Sequence, residues 1–214
     1  MLILISIIHQ LNYPFVKNLL VIILIILLSA CKKETVEIMP PTQDSVVTAL
    51  PVYKSYTILK GAHYCRESSI KFFSGNDINF RVKFSNSAMY KTLETENQGD
   101  VNKLYGFSEG IDNHLNSARI GWNWQNNALR LYAYTYANGV RNCKEISTVV
   151  IGEAIDLSIG IAANKYLFKA GEIKLELPRA LSSATVAGYW QYPYFGGDEV
   201  APHTICIEIM DMED

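Results

Sequence analysis

The side chains best suited to chemistry fall at alternate positions of one stretch, residues 117–151. They are Arg130, Tyr132, Tyr134 and Tyr136, with Arg119, Arg141 and Glu145 close by. In an extended chain, alternate side chains share a face. Phenol rings present an apolar body and a polar tip, which suits stacking on the apolar faces of sugars. Guanidinium and carboxylate groups supply charge-assisted hydrogen bonds to hydroxyls and acids. Arg119, Tyr132, Tyr134, Tyr136, Arg141 and Glu145 are therefore the candidate ligand-binding set. Tyrosine also favours strands intrinsically, so such a row is open to the plainer reading of a sheet surface.

Two histidines are the candidate catalytic residues. His63 lies in Lys60-Gly61-Ala62-His63-Tyr64 and His114 in the Gly-, Asp- and Asn-rich loop before residue 117. Either could exchange a proton near neutral pH if a tyrosine or arginine lay beside it. A third, His203, precedes the last strand. Histidines on loops more commonly act as surface or hydrogen-bonding residues, and neither an H-x-x-x-H pair nor a G-x-S-x-G elbow is present. Asp198 and Glu199, in Gly196-Gly197-Asp198-Glu199, are oxygen donors of the type Ca²⁺ takes. That ion requires about 6–8 ligands, so a tight turn is the simpler reading and no cofactor is expected.

Positioning these groups requires strands. Asn138-Gly139 as a two-residue hairpin loop sets Tyr136 opposite Arg141, Tyr134 opposite Cys143 and Tyr132 opposite Glu145. Asn126-Asn127 as the preceding turn sets Trp122 opposite Leu131, Ile120 opposite Ala133 and Arg119 opposite Tyr134. Ile120, Trp122, Trp124, Leu129, Leu131 and Ala133 then form an apolar wall on the other face. Further strand-like segments occur at 53–59, 69–73, 78–84, 103–107, 153–163, 165–169, 172–177, 186–195 and 204–209. Ile78, Phe80, Val82 and Phe84 alternate with Asn79, Arg81 and Lys83, the pattern of a half-buried strand. Residues 89–95 lack alternation and read as a short helix or loop. Short strands with little helix predict an all-β antiparallel sandwich of the concanavalin-like jelly-roll kind, with a closed antiparallel barrel as the alternative.

The amino terminus has a different character. Residues 1–30 hold no acidic side chain and one lysine, Lys17, and residues 19–28 are unbroken apolar. That run fits the ~7–15 residues of a signal-peptide core and falls short of the ~20 needed to span a bilayer. Leu28-Ser29-Ala30-Cys31 follows and resembles the lipobox of bacterial lipoproteins. The resemblance implies removal of residues 1–30, lipidation of Cys31 and a membrane anchor through it. A start near Val16 would make a more ordinary signal peptide. Lys32 and Lys33, with no Asp after Cys31, point by the same resemblance to the outer membrane of a Gram-negative bacterium. Residues 31–51 read as a flexible tether and 52–214 as one domain. Beyond the signal segment, 18 basic residues face 21 acidic ones, a balance that gives no footprint for nucleic acid. Cys65, Cys143 and Cys206 remain; three thiols allow at most one bridge, and their spacing fits no zinc site.

Three stretches carry a wider resemblance: Lys60-Gly61-Ala62-His63-Tyr64; Gly106-Phe107-Ser108 with Asn116-Ser117-Ala118-Arg119-Ile120-Gly121-Trp122; and Tyr192-Pro193-Tyr194-Phe195-Gly196-Gly197-Asp198-Glu199 with Ala201-Pro202-His203. Together they resemble a group of uncharacterised secreted lipoproteins of Bacteroidota, which implies no activity. Separately, Tyr166-Leu167-Phe168-Lys169-Ala170-Gly171 is similar to the Tyr-Phe-Lys-Ala-Gly segment of jelly-roll alginate lyases, with one residue inserted. The Gln-x-His pair of that family is absent, and Arg81 stands in its strand without a Glu, so the similarity implies the fold and not the lyase activity. The expectation is a lipid-anchored envelope protein that binds a polysaccharide or other envelope ligand. A polysaccharide lyase or glycoside hydrolase, and a structural protein without ligand, are the alternatives.

Overall fold

The computed structural model describes residues 52–212; the expected signal peptide, Cys31 and tether lie outside the described residues. The strands are β1 (Lys54–Ile58), β2 (Phe72–Gly75), β3 (Asp77–Phe84), β4 (Asn102–Ser108), β5 (Ser117–Gln125), β6 (Ala128–Ala137), β7 (Val140–Val149), β8 (Ala154–Ala162), β9 (Lys165–Ala170), β10 (Ile173–Pro178), β11 (Val186–Gln191) and β12 (Ile205–Asp211). They form two six-stranded antiparallel sheets, ordered β1-β12-β3-β8-β9-β10 and β2-β11-β4-β5-β6-β7. Neither sheet closes on itself, so the fold is the jelly-roll β-sandwich and not the barrel.

The β5–β6–β7 meander holds the expected register. Asn126, Asn127, Asn138 and Gly139 all take positive φ, between 50° and 77°. Two consecutive left-handed residues turn a hairpin with the twist its strands require. Arg119 consequently faces Tyr134, Trp122 faces Leu131 and Tyr136 faces Arg141. One irregularity interrupts the pattern: the β6–β7 register shifts between Leu131 and Tyr132, and the surplus residue, Ile146, is buried.

Ile120, Trp122, Leu129, Leu131 and Ala133 are fully buried against the first sheet, while Trp124 is half-buried at the end of the wall. Trp122 packs on Phe84 at 5.4 Å and edge-on to Tyr90 at 5.8 Å between ring centroids. Its indole Nε1 is buried without an acceptor. Trp122→Ala should therefore cost about 3–5 kcal/mol by urea denaturation. Trp122→Phe should cost much less, since it also removes an unsatisfied donor.

A buried polar strut joins the layers. Arg179, just past β10, donates from Nε and Nη2 to the two carboxylate oxygens of Glu109, each at 2.7 Å. Glu109 follows β4 in the opposite sheet, and the Tyr166 hydroxyl from β9 donates to the same carboxylate at 2.6 Å. The remaining guanidinium donors reach the Ala163 and Ser183 carbonyls and the Ser183 hydroxyl. Every member is satisfied, the condition for a buried charge pair to persist.

Two local expectations change, and a third resolves to its loop alternative. β2 and β3 flank the Ser74–Asp77 turn but belong to different sheets, because the chain crosses between layers there. The aromatic run at 186–195 is a strand only to Gln191, and Tyr194 then makes isolated bridges to Tyr64 and Lys103. Residues 89–95 run between two 3₁₀ turns, Asn86–Ala88 and Thr95–Gly99. All three described cysteines are free, with Cys65 buried and Cys143 exposed.

Candidate functional site

The face of β5–β6–β7 turned away from the core carries the side chains that alternate with the wall. At its Arg119 end it opens into a groove of about 720 Å³. Arg119, Tyr134, Tyr136 and Arg141 line it, joined by Lys103 from β4 and His114 from the loop before β5. Tyr64, Tyr189, Gln191, Tyr192, Tyr194 and Asp198 are among the other lining residues.

Lys103 reaches this face through a bulge. Tyr105 and Phe107 point into the core, so simple alternation would send Lys103 inward as well. The β4–β5 register shifts between Lys103 and Tyr105, and Leu104 and Tyr105 both end up buried. Lys103 then stands opposite Gly121, on the tyrosine side. Its ammonium donates to the Val101 carbonyl at 2.9 Å and lies 4.7 Å from the Tyr134 ring centroid. Burial, with Arg119 and Arg141 adding to it, brings the Lys103 pKa down to about 8; Asp100 opposes the shift.

Arg119 is only 6% exposed although it sits on the outer face. Gly106 is its partner on β4, and a Cβ there would fall 2.8 Å from Arg119 Cγ; the bare glycine gives the arginine stem its floor. Tyr134, Tyr136, Tyr194 and Tyr64 surround the guanidinium closely enough to act on its charge. Burial lowers the Arg119 pKa. Burial, with the Tyr136 hydroxyl beside it, raises that of Tyr134 well above the ordinary phenol range. The Tyr134 phenol is therefore neutral at physiological pH and cannot serve as a counterion.

The far wall is fixed by backbone. Tyr194 and Lys103 exchange both N–H···O bonds at 2.9 Å, and Phe195 N–H donates to the His63 carbonyl at 2.8 Å. Tyr64 meets Tyr194 edge-on at 4.9 Å, and Asn113 Nδ2 donates to Gln191 Oε1 at 3.0 Å. Such a groove exists before any ligand arrives, which lowers the ordering cost of binding.

Of the residues singled out in the sequence, Arg119, Tyr134, Tyr136, Arg141 and His114 come together in the groove, His114 edge-on to Tyr136 at 5.1 Å. Tyr132 and Glu145 share the face but stand outside the groove. The Tyr132 hydroxyl donates to Asn123 Oδ1 at 3.1 Å, and Glu145 pairs with Arg130 at 2.8 Å. The Thr95–Gly99 turn covers that end, since Asn123 Nδ2 donates to the Gly99 carbonyl and Gln98 Nε2 to that of Trp124. His63 lies behind the wall, stacked on Tyr194 at 5.3 Å with Nδ1 2.8 Å from the Phe195 carbonyl oxygen. His203 is elsewhere, against the Ser87 carbonyl. Asp198 faces the groove, whereas Glu199 turns away to accept from the Leu93 and Glu94 amides and from Asn97. Those bonds hold its carboxyl below the usual range. The two acids do not share a site, and among the described residues no cluster of three or more His, Cys, Asp or Glu could hold a metal. Lys103, Tyr64 and the Tyr189–Tyr194 aromatics are the lining groups that sequence reasoning did not place here.

No family model and no curated protein matches the chain. Solved structures resemble it weakly. LamAcat from Zobellia galactanivorans aligns with 9% identity and a TM-score of 0.43, over 74% of this chain and 76% of that one. Alginate lyase AlgAT5 of polysaccharide lyase family 7 aligns with 11% identity and a TM-score of 0.42, over 75% and 79%. The carbohydrate-binding module CBM66 from Bacillus subtilis aligns with 6% identity and a TM-score of 0.33, over 76% and 89%. These values mark weak structural similarity with almost no sequence in common, in keeping with the weak similarity to jelly-roll lyases that was expected.

Proposed function

We propose that the chain is a glycan-binding β-sandwich held at the bacterial envelope by a lipid on Cys31. The observation that carries the binding reading is a preformed groove whose walls are tyrosines and whose floor is polar and cationic. Rings offer flat apolar area at low entropic cost, and the arginines and Lys103 supply donors for hydroxyl or acid groups. Tyr134, Tyr136, Tyr64 and Tyr194 are the stacking groups in this reading. The lipobox-like Leu28-Ser29-Ala30-Cys31 supports the anchor, and Lys32-Lys33 the outer membrane.

Calorimetric titration of the full chain, in non-ionic detergent, against a panel of polysaccharides tests it. The Tyr134→Ala, Arg141→Ala double variant should lose at least about tenfold in affinity, two truncated contacts being worth roughly 1–2 kcal/mol or more together. Unchanged affinity would remove the groove from consideration. An enzymatic reading is favoured by one contact, His114 beside Tyr136 in the groove. Release of unsaturated uronate, followed by ultraviolet absorbance, decides in its favour. A purely structural protein gives neither ligand nor product.

A further inference from the structure

We infer that the groove takes an acidic glycan and seats its carboxylate or sulfate against Arg119, between Lys103 and Arg141. This rests on the glycan reading above and adds the charge class of the ligand. Of the other five arginines, three are spent on acids, and Arg66 and Arg141 form no ion pair among the described residues. Arg81, Arg130 and Arg179 each pair with an acid, namely Asp156, Glu145 and Glu109. Arg179 is as deeply buried as Arg119, and its donors are all spent on Glu109, Ala163 and Ser183. Arg119 has no such set. Its Nε is buried without an acceptor, and among the described residues no carboxylate pairs with it.

Burying a guanidinium without an acceptor is unfavourable, and the protein gains nothing from it in the free state. Burial raises the Tyr134 and Tyr194 phenols, so these hydroxyls stay neutral and do not cancel the charge. Lys103 and Arg141 line the same groove and add two more cations, while the acids nearest them, Asp100 and Asp198, form no ion pair with any of the three. A ligand anion would complete what Arg119 lacks. A planar carboxylate or a sulfate offers two oxygens to the guanidinium fork. The sugar ring carrying it would lie against the tyrosine wall.

Lys103 gives the seat a pH signature. The groups facing its ammonium are Arg119, Arg141, Asp100, Asp198, Cys143, Tyr134, Tyr194 and, across the groove, His114. Its pKa of about 8 in the free protein must rise when an anion binds beside it. Binding then takes up a proton above about pH 8, so affinity is full below that pH and declines as pH rises through it. Lys103→Met should flatten the decline while leaving Arg119 in place.

The test uses the full chain in non-ionic detergent and three sets of probes. The first is oligouronates and sulfated oligosaccharides of defined length, the second the same oligouronates with their carboxyls reduced, the third sodium sulfate. The acidic oligosaccharides should bind at least tenfold more tightly than the reduced ones. Arg119→Gln should abolish that difference and, without ligand, should unfold at a higher urea concentration than the parent. A merely structural arginine would unfold earlier when replaced. Equal affinity for acidic and reduced oligosaccharides overturns the anion seat and leaves glycan binding standing. Saturable binding of sulfate with no response to any oligosaccharide keeps the seat and overturns the glycan reading. No binding by any probe overturns both.

Discussion

Arg179→Leu should destabilise the sandwich by about 3–5 kcal/mol, the cost of leaving Glu109 charged and buried without its partner. The side chains of Arg179 and Glu109 are 0% and 3% exposed, so water cannot replace either partner. A domain whose whole stability is about 5–15 kcal/mol would lose much of it and could unfold at growth temperature. Glu109→Leu should cost a similar amount for the mirror-image reason. The double variant, with no orphaned charge, should cost clearly less than the two singles summed. Tyr166→Phe, removing one hydroxyl from the same carboxylate, should cost about 1–2 kcal/mol. Urea midpoints for the four variants decide the matter. Additive singles would mean that the strut does not act as a unit.

Gly106→Ala is the second large effect and acts on the site as well as on stability. A methyl there would fall 2.1 Å from the Ala118 carbonyl oxygen and 2.7 Å from Arg119 Cα. Both are backbone atoms in a central strand pair, so relief requires β4 and β5 to part. A cost of about 3 kcal/mol is expected, at the upper end for overpacking, with loss of the proposed glycan binding because Arg119 moves with its strand. Gly121→Ala provides the comparison. There the closest atom is Val101 Cγ1 at 2.5 Å, the end of a side chain that can rotate, and the Asn102 oxygen is at 3.3 Å. That variant should cost about 1 kcal/mol and keep most of its affinity. Equal losses in the two variants would contradict the distinction between backbone and side-chain clashes.

The parts of this site that rest on local rules were readable in the sequence. Asn138-Gly139 and Asn126-Asn127 each fix a hairpin, and two hairpins fix which residues face each other across three strands. From there the division between the Trp122 wall and the Tyr134 face follows from alternation alone. What escaped reading depends on contacts distant in the chain or on a departure from alternation. Tyr64 and Tyr194 meet across about 130 positions through backbone bridges. The Thr95–Gly99 turn is bonded to Asn123, which holds the Tyr132 hydroxyl outside the groove, and nothing in Tyr132 signals it. The layer crossing at Ser74–Asp77 looks like any hairpin turn until β11 and β12 are seen to claim β2 and β3 separately.

The surplus residue at Leu104 makes the charge of the groove depend on backbone shape as well as on residue identity. Between Gly106 and Lys103 the chain spends one residue more than its partner strand, and the bulge that takes it up decides whether an ammonium faces the ligand or the core. Straightening the bulge with Leu104 kept would turn Lys103 toward the core, whereas deleting Leu104 would pair Lys103 with Gly121 and Tyr105 with Ile120 in strict alternation and keep the ammonium on the tyrosine side. The local backbone shape, and not the length of β4, therefore decides which side chain the groove presents opposite Gly121.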